Sequence, residues 1–201
     1  MCALLVSDNP PVPRTVTAGL VLAAGAGTRF GIDSKLLAEL DGRPLLEHAV
    51  AAQCAVAALD RVVVVLGSRA DEIRAQVDFG RAEVVVCEQW HAGQSASLRC
   101  GASALRGADM VIVTLGDMPR IGPHLIARFL DEPPRTRASY DRRPGHPVVL
   151  GAEELARLHE LSGDVGAREL LKGGRLIECG DLVAGADVDT QEDLRRIRSS
   201  E

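Results

Sequence analysis

Aromatic side chains are scarce in this chain of 201 residues, of which they make up 2%. The core must therefore be aliphatic, and few residues could form the stacking platforms on which proteins hold single-stranded nucleic acid. Basic residues are not in excess either: 23 Lys and Arg stand against 28 Asp and Glu, a net charge of −5. Because binding to a phosphate backbone depends on basic residues, we do not expect a nucleic-acid partner.

Cysteine pairs and long apolar runs are also missing. The number of cysteines, five, is odd, and no C-x-x-C pair occurs, which favours reduced thiols over a disulfide framework or a zinc site. No stretch of 18 apolar residues exists, and the first residues lack the basic and apolar segments of a secretory signal. We therefore expect a cytoplasmic protein with no membrane partner.

The length suits one domain with a substantial core. Asn9 to Arg14 contains three prolines. This composition predicts a flexible N-terminal tail at residues 1–15, followed by a single domain at residues 16–201.

Apolar runs alternate with helical patterns along the first two thirds of the chain. Continuous apolar runs of this kind are typical of strands buried on both faces of a parallel sheet. The pattern predicts a single α/β domain, Rossmann-like and three-layered, with a mostly parallel central sheet. The predicted strands are Val16–Leu22, Arg61–Leu66, Ala82–Cys87 and Met110–Leu115, and the predicted helices are Pro44–Ala58, Arg69–Val77, Gln94–Leu105 and Gly122–Leu130.

The last third is less regular. Helical patterns occur at Ala152–Leu161 and Gly166–Leu171, and a short strand is predicted at Leu176–Glu178. A final helix is predicted at Gln191–Arg198, where Thr190 and the later Asp193 resemble a capping box.

A glycine-rich stretch, Gly19 to Gly31, begins within the first predicted strand and precedes Lys35. Small residues let backbone N–H groups approach an anion, and Arg29 and Lys35 add positive charge, so the stretch favours a polyphosphate ligand. A plain strand-to-helix turn is the alternative. The dinucleotide fingerprint fails because Phe30 stands where its third glycine is needed, and the P-loop pattern is absent. Both failures point away from nicotinamide enzymes and P-loop ATPases.

Carboxylates occur where a parallel sheet would hold a ligand. Asp117 directly follows the strand Met110–Leu115, beyond whose carboxyl end ligands bind in such folds. Mg²⁺ is commonly held by one or two carboxylates plus substrate phosphates, so Asp117 with Asp187 or Asp189 is a candidate metal site. A turn at Asp117 and a helix cap near Asp189 are the alternatives. Of the five histidines, His146 is the one we expect to face a ligand.

Six blocks resemble, in the same order, the nucleotidyltransferases related to molybdenum cofactor cytidylyl- and guanylyltransferases. The resemblance extends from about Gly19 to Arg196 and implies a fold like that of the nucleotide-diphospho-sugar transferases. The blocks are Leu22-Ala23-Ala24-Gly25-x-Gly27-x-Arg29-x-Gly31 with Lys35, Gly93-Gln94-Ser95-Ala96-Ser97-Leu98, Leu115-Gly116-Asp117-Met118-Pro119, Gly145-His146-Pro147, Gly163-Asp164-Val165-Gly166-Ala167-Arg168 and Asp187-Val188-Asp189-Thr190.

Within that family the chain looks most like the cytidylyl branch, which carries Leu-Ala-Ala-Gly where the guanylyl branch carries Leu-Ala-Gly-Gly. Ala24 therefore hints at a cytosine base. Two departures occur. Cys87-Glu88-Gln89-Trp90 stands where the branch usually has an Asn-Pro pair, and Ser34 replaces a frequent proline before Lys35.

The resemblance implies a role for each matching residue. Asp117 and Asp189 would hold Mg²⁺, Lys35 would contact the α-phosphate, and Arg29 would contact the leaving pyrophosphate; Arg29, Lys35 and Asp117 form the catalytic set. His146 and Arg168 would face the acceptor. The nucleotide would be bound by Leu22, Ala23, Ala24, Gly25, Gly27, Lys35, Gly67, Gln94 and Ser97.

The implied reaction transfers CMP from CTP to the terminal phosphate of molybdopterin or molybdenum cofactor, with a client molybdoenzyme as a further partner. One alternative is a nucleotidyltransferase of the same fold that acts on a sugar phosphate or another small phosphate. A second is a cofactor-binding chaperone without turnover, although a chaperone would not need both Asp117 and Asp189.

Overall fold

The aliphatic, β-branched runs of the chain form one central sheet. The computed structural model describes residues 14–31, 34–180 and 185–198, so the predicted tail at 1–15 lies outside it except for its last two residues. The sheet has seven strands: β1 (Thr17–Ala23), β4 (Arg61–Leu66), β5 (Glu83–Val86), β6 (Met110–Leu115), β7 (Arg137–Tyr140), β8 (Arg143–Gly151) and β9 (Leu176–Glu178). A separate two-stranded ribbon pairs β2 (Glu39–Leu40) with β3 (Arg43–Pro44).

The sheet has the order β5-β4-β1-β6-β8-β7-β9. Of these seven strands β8 alone runs against the rest, because it pairs antiparallel with both β6 and β7 while the other pairings are parallel. Leu22 of β1 is level with Val65 of β4 and Leu115 of β6. The loops that follow these three strands therefore lie at one edge of the sheet.

Helices cover both faces of the sheet and complete a three-layered α/β domain, as predicted. On one face Leu20, Leu22 and Val65 pack with Leu98 and Leu158. On the other face Val21 and Val64 pack with apolar residues of α1 and α2, and Ile112 packs with those of α4. The helices are α1 (Leu45–Cys54), α2 (Ala70–Gln76), α3 (Gln94–Ala104), α4 (Pro123–Arg128), α5 (Ala152–Arg157) and α6 (Gln191–Arg198).

Several predicted elements differ from the observed ones. The helix predicted at Gly166–Leu171 is wrong: these residues form successive turns, and Gly166 has a positive φ of 57° that an α-helix cannot contain. The helix predicted at Pro44–Ala58 ends at Cys54, and the one predicted at Ala152–Leu161 continues from Arg157 as a short 3₁₀ turn. The hairpin of β7 and β8 was not predicted. The segment from Arg142 to Pro147 contains residues that are typical of turns, yet all of it after Arg142 belongs to β8.

The last helix, α6, packs beside the glycine-rich stretch. Leu194 and Ile197 of α6 share a buried cluster with Phe30, Leu45 and Val188. Thr190 and Asp193 cap the helix reciprocally, as predicted: the Thr190 N–H donates to Asp193 Oδ2 at 2.8 Å, and the Asp193 N–H donates to Thr190 Oγ1 at 3.2 Å. This packing fixes the segment that contains Asp187 and Asp189.

No helix in the described ranges combines the length and the apolarity that a bilayer crossing requires.

Gly101→Ala tests how closely α3 approaches the sheet. A Cβ at Gly101 would lie 2.5 Å from Leu20 Cδ1 and 2.9 Å from Val65 Cγ2, both of which belong to fully buried side chains. Overpacking should outweigh the better helix propensity of alanine, so we expect the free energy of unfolding to fall by about 1–2 kcal/mol in urea denaturation. Ser103→Ala, on the exposed side of the same helix, is the matched control. An unchanged stability of Gly101→Ala would contradict the close approach.

Candidate nucleotide and metal site

A cleft of about 470 Å³ opens where β1 and β6 end. Most of the residues that were predicted to have a nucleotide, catalytic or metal role line this cleft. These are Leu22, Ala23, Ala24, Gly25, Gly27, Arg29, Lys35, Gln94, Ser97, Asp117 and Asp189. Gly67, also predicted, lies behind the wall of the cleft, because a Cβ there would come 2.5 Å from Trp90 Cβ and 2.6 Å from the Ala24 oxygen.

The glycine-rich stretch forms one wall of this cleft. Gly27 has a left-handed backbone with φ of 61°, and a Cβ there would lie 2.9 Å from Lys35 Cγ. Its carbonyl accepts a hydrogen bond from the Phe30 N–H at 2.9 Å, which begins a short turn whose Phe30 side chain is buried. Gly25 has nothing within 4 Å of its missing Cβ, so this part of the loop is open toward the cleft. The loop therefore lies against the Lys35 stem and leaves space for a ligand.

Lys35 joins two carboxylates at the centre of the site. Its Nζ donates to Asp117 Oδ2 at 2.5 Å and to Asp189 Oδ1 at 2.9 Å. Arg29 Nη2 reaches the other oxygen of Asp189 at 2.8 Å. The Val188 N–H donates to the Asp117 carbonyl oxygen at 2.9 Å, which ties the two acidic segments together. Lys35 is 82 positions from Asp117 and 154 positions from Asp189 in the sequence, so residues from distant parts of the chain meet here.

The charges of this cluster shift the pKa values of its members. Burial by itself would lower the pKa of Lys35, but the carboxylates of Asp117 and Asp189 outweigh it and raise that pKa above its ordinary value. Asp187, which lines the same cleft, has a raised pKa because it is partly buried and faces the negative charges of Asp117 and Asp189. Lys35 is therefore a cation that the surrounding carboxylates stabilise.

The carboxylate oxygens fit a divalent cation that arrives with phosphates. Among the described residues, Asp117 Oδ1 is buried without a hydrogen-bond partner, and a bound cation would satisfy this oxygen. Within the described ranges, no group of three or more His, Cys, Asp or Glu residues is arranged to hold a metal by itself. Mg²⁺ does not need such a cage, since it is usually held by one or two carboxylates together with substrate phosphates and water. Asp117 with Asp189 or Asp187 meets this requirement.

The other end of the cleft is built around the start of α3. The Gln94 N–H donates to Asp164 Oδ1 at 3.2 Å, and a Cβ at Gly166 would come 2.3 Å from Gln94 Oε1. The turn at 163–166 therefore packs closely on Gln94. Ser97, one helical turn later, and Trp90 also line the cleft.

A second cavity, of about 140 Å³, adjoins the first. Leu22 and Gln94 line both. The two residues expected to face an acceptor, His146 and Arg168, line this second cavity and lie outside the lining of the cleft. Burial, assisted by the charge of Arg137, lowers the pKa of His146 to about 4. His146 is therefore neutral near pH 7.

Trp90, Asp164 and Arg137 are among the cleft and cavity residues that were not assigned roles from the sequence. Asp164 lies in one of the six blocks that carry the family resemblance, and this position could have indicated that it lines the site. Trp90 is the single tryptophan of an aromatic-poor chain, but it stands in the segment that departs from the family pattern. No local signal marks Arg137, because strand pairing alone brings it to the cavity.

Comparison with known proteins agrees with this geometry. The sequence model of the MobA-like NTP transferase domain matches residues 19–179. Nicotine blue oxidoreductase of Paenarthrobacter nicotinovorans is 34% identical over 194 residues, which cover 89% of this chain and 95% of that protein. The 2-C-methyl-D-erythritol 4-phosphate cytidylyltransferase of Cereibacter sphaeroides is 40% identical over 146 residues, which cover 70% of this chain and 61% of that enzyme.

Solved structures share the fold over almost the whole chain. The crystal structure of Rv0371c from Mycobacterium tuberculosis H37Rv superimposes with a TM-score of 0.84 at 28% identity, covering 94% of this chain and all of that one. A crystal structure of the same protein in complex with manganese has a TM-score of 0.77 and covers 93% of this chain and all of that one. Because the family model matches residues 19–179, most of the sequence, the chain belongs to the MobA-like NTP transferase family.

Proposed function

We propose that this protein transfers a nucleoside monophosphate from a nucleoside triphosphate to the phosphate of a small acceptor and releases pyrophosphate. The observation that carries the proposal is the position of Lys35 Nζ, 2.5 Å from Asp117 and 2.9 Å from Asp189, beside the glycine-rich loop. A cation and two carboxylates at the carboxyl edge of a parallel sheet match the needs of a bound triphosphate and its metal.

In the proposed step an oxygen of the acceptor phosphate attacks the α-phosphorus of the triphosphate. The bond between the α-phosphorus and the bridging oxygen breaks, and pyrophosphate leaves with that electron pair. Lys35 would hold the α-phosphate as negative charge builds on it, and Arg29 would bind the leaving pyrophosphate. Such a transfer depends on positioning and charge stabilisation rather than on a protein nucleophile.

Asp117 and Asp189 would hold the Mg²⁺ ion, with Asp187 as the alternative second ligand. A bound Mg²⁺ supplies charge neutralisation for the triphosphate. The related Rv0371c is described in complex with manganese, which supports a divalent ion at this fold's site. The unpartnered Oδ1 of Asp117 supports the same assignment in this chain.

For the substrates we propose CTP and a molybdopterin-type cofactor, which a client molybdoenzyme would receive. Ala24 supports CTP through the cytidylyl-type Leu-Ala-Ala-Gly sequence, and it lines the cleft. A relative named as a cytidylyltransferase supports the same base. A sugar phosphate or another small phosphate is the alternative acceptor, and a non-catalytic cofactor carrier would need no pyrophosphate release.

A second candidate is an oxidoreductase activity. It is favoured by the 34% identity with a protein named nicotine blue oxidoreductase over 95% of that protein's length. Hydride transfer, however, gives no role to a lysine held between two carboxylates, so phosphoryl chemistry explains more of the site. Consumption of NADH or NADPH in the presence of nicotine blue, with no pyrophosphate release from any triphosphate, would favour the oxidoreductase.

Pyrophosphate release is the direct test. With Mg²⁺, CTP and molybdopterin, we expect the protein to release pyrophosphate. Release should stop in Asp117→Asn, and it should fall at least 100-fold in Asp189→Asn or Asp187→Asn, whichever of the two residues holds the metal. The reason is that a neutral amide is a weaker ligand than a carboxylate for a hard cation. Glu153→Gln, at an exposed helix position, is the control. Release with a sugar phosphate alone would select the alternative acceptor, and full activity in all three Asp variants would refute the metal assignment.

Lys35→Ala should lower kcat by about 100-fold or more with a small change in KM for CTP. The reason is that a contact strengthened in the transition state acts on the chemical step. Steady-state kinetics with a pyrophosphate-coupled assay would measure both constants. Lys172→Ala is the matched control, since Lys172 is the only other lysine of the chain and forms an exposed ion pair with Glu169. An effect confined to KM would contradict the assigned role.

Ala24→Gly should relax the preference for CTP over GTP if position 24 selects the base. The residue is only 4% exposed, and its carbonyl accepts a hydrogen bond from the Ser68 N–H at 3.0 Å, so a lost methyl group would widen the base pocket without moving the backbone. The ratio of kcat/KM for the two nucleotides is the measurement, and fluorescence of Trp90, which lines the cleft, follows binding independently. An unchanged ratio would refute the role of Ala24.

A further inference from the structure

The second cavity differs in charge from the cleft beside it. Among the described residues, the lining of the cleft includes the acidic side chains of Asp117, Asp164, Asp187 and Asp189. The described lining of the second cavity contains no acidic residue, two arginines, a neutral His146 and otherwise mostly apolar side chains. The ligand that fits such a cavity has an apolar body and carries negative charge.

Arg137 is placed on the floor of this cavity by strand pairing. It opens β7 and lies opposite Val148 of β8, which in turn lies opposite Val113 of β6. All three residues line the cavity. His146 precedes Val148 by two positions along β8, so it stands on the same face and nearer the cleft. Arg137 therefore lies farther than His146 from the cleft edge of the sheet.

Arg137 is half-buried, and within the described ranges its guanidinium makes no hydrogen bond or ion pair. Several other arginines have an ion-pair partner: Arg175, for example, donates to Glu132 at 2.7 Å. A guanidinium that is partly removed from water without an acceptor carries a desolvation cost, which a bound anion would offset. Its planar fork of donors matches a carboxylate or phosphate in a bidentate arrangement.

We propose that Arg137 determines acceptor specificity by binding an anionic group that is separate from the attacking phosphate. The acceptor would be an apolar, ring-sized molecule with a phosphate at one end and a carboxylate or second phosphate at the other. Its body would lie between Leu98, Val113 and Val148, its phosphate would reach toward the cleft past Leu22 and Gln94, and its second anion would meet Arg137. This inference rests on the proposed transferase function, and for the acceptor it favours the alternative named there, a small phosphate other than the molybdopterin-type cofactor.

Binding of aryl phosphates to the full-length chain tests the assignment without turnover. The probes are phenyl phosphate and its 2-, 3- and 4-carboxylated forms, titrated by calorimetry with and without a non-hydrolysable CTP analogue. We expect at least one carboxylated probe to bind about ten-fold or more tightly than phenyl phosphate, as a charge-assisted hydrogen bond in an apolar site would give. Arg137→Gln should abolish that preference, and Arg137→Lys should keep part of it.

Arg175→Gln is the matched control, because it removes an arginine from an ion pair away from the cavity lining. Thermal unfolding of each variant checks that the fold is retained. The proposal is overturned if no carboxylated probe is preferred, if the preference survives Arg137→Gln, or if Arg137→Gln weakens phenyl phosphate equally, since Arg137 would then bind the phosphate itself. Failure of the transferase proposal is separate: it would appear as absent pyrophosphate release while the binding preference persists.

Discussion

The structure of the site depends on one interaction, the contact of the Lys35 ammonium with Asp117 and Asp189. Three aspartates, the third being Asp187, face one cleft from two distant segments of the chain, and their mutual repulsion opposes this arrangement. Lys35 offsets it from within hydrogen-bonding distance of two of them, in a place where its own side chain is only 12% exposed. The pair of Arg29 with Asp189 adds less, because the Arg29 side chain is 74% exposed and solvent screens the charge.

This arrangement also defines what a ligand must do to bind. A triphosphate would bring several negative charges to a cleft that already holds these three carboxylates and that of Asp164. It would therefore need positive charge from the protein and from its metal together. Lys35 and Arg29 are the cations at hand, and each would exchange a carboxylate for a phosphate oxygen. The carboxylates released in this way are the ligands that a hard divalent cation prefers. In the proposed function, a metal–triphosphate complex would thus replace one set of ion pairs with another of similar charge.

The sequence predicted the centre of the sheet and the contents of the cleft well, and the periphery poorly, for physical reasons. β1, β4 and β6 are buried on both faces, so their apolar runs are unambiguous, and the residues that follow them must meet at one edge. Residues 166–171 look helical by composition, but their conformation is set by Gly166 packing against Gln94, a contact between distant segments. Gly67 follows β4 as expected, yet Trp90 covers it, and no pattern near Gly67 could indicate this.

The reversed strand explains why the residues that line the second cavity were the hardest to place from the sequence. In a purely parallel sheet, functional groups follow the strands, and sequence order alone locates them. β8 runs against β6, so its first half, with Gly145 and His146, lies at the same edge as the end of β6. The pairing of β7 with β8 then brings Arg137 beneath them, although nothing in Arg137's own neighbourhood marks it. The cleft thus lies at the parallel half of the sheet, whose strands can be predicted from the sequence. The second cavity lies at the antiparallel half, where the pairing register determines which side chains meet. Substitutions in β7 and β8 could therefore alter the second cavity while leaving the Lys35 cluster in place.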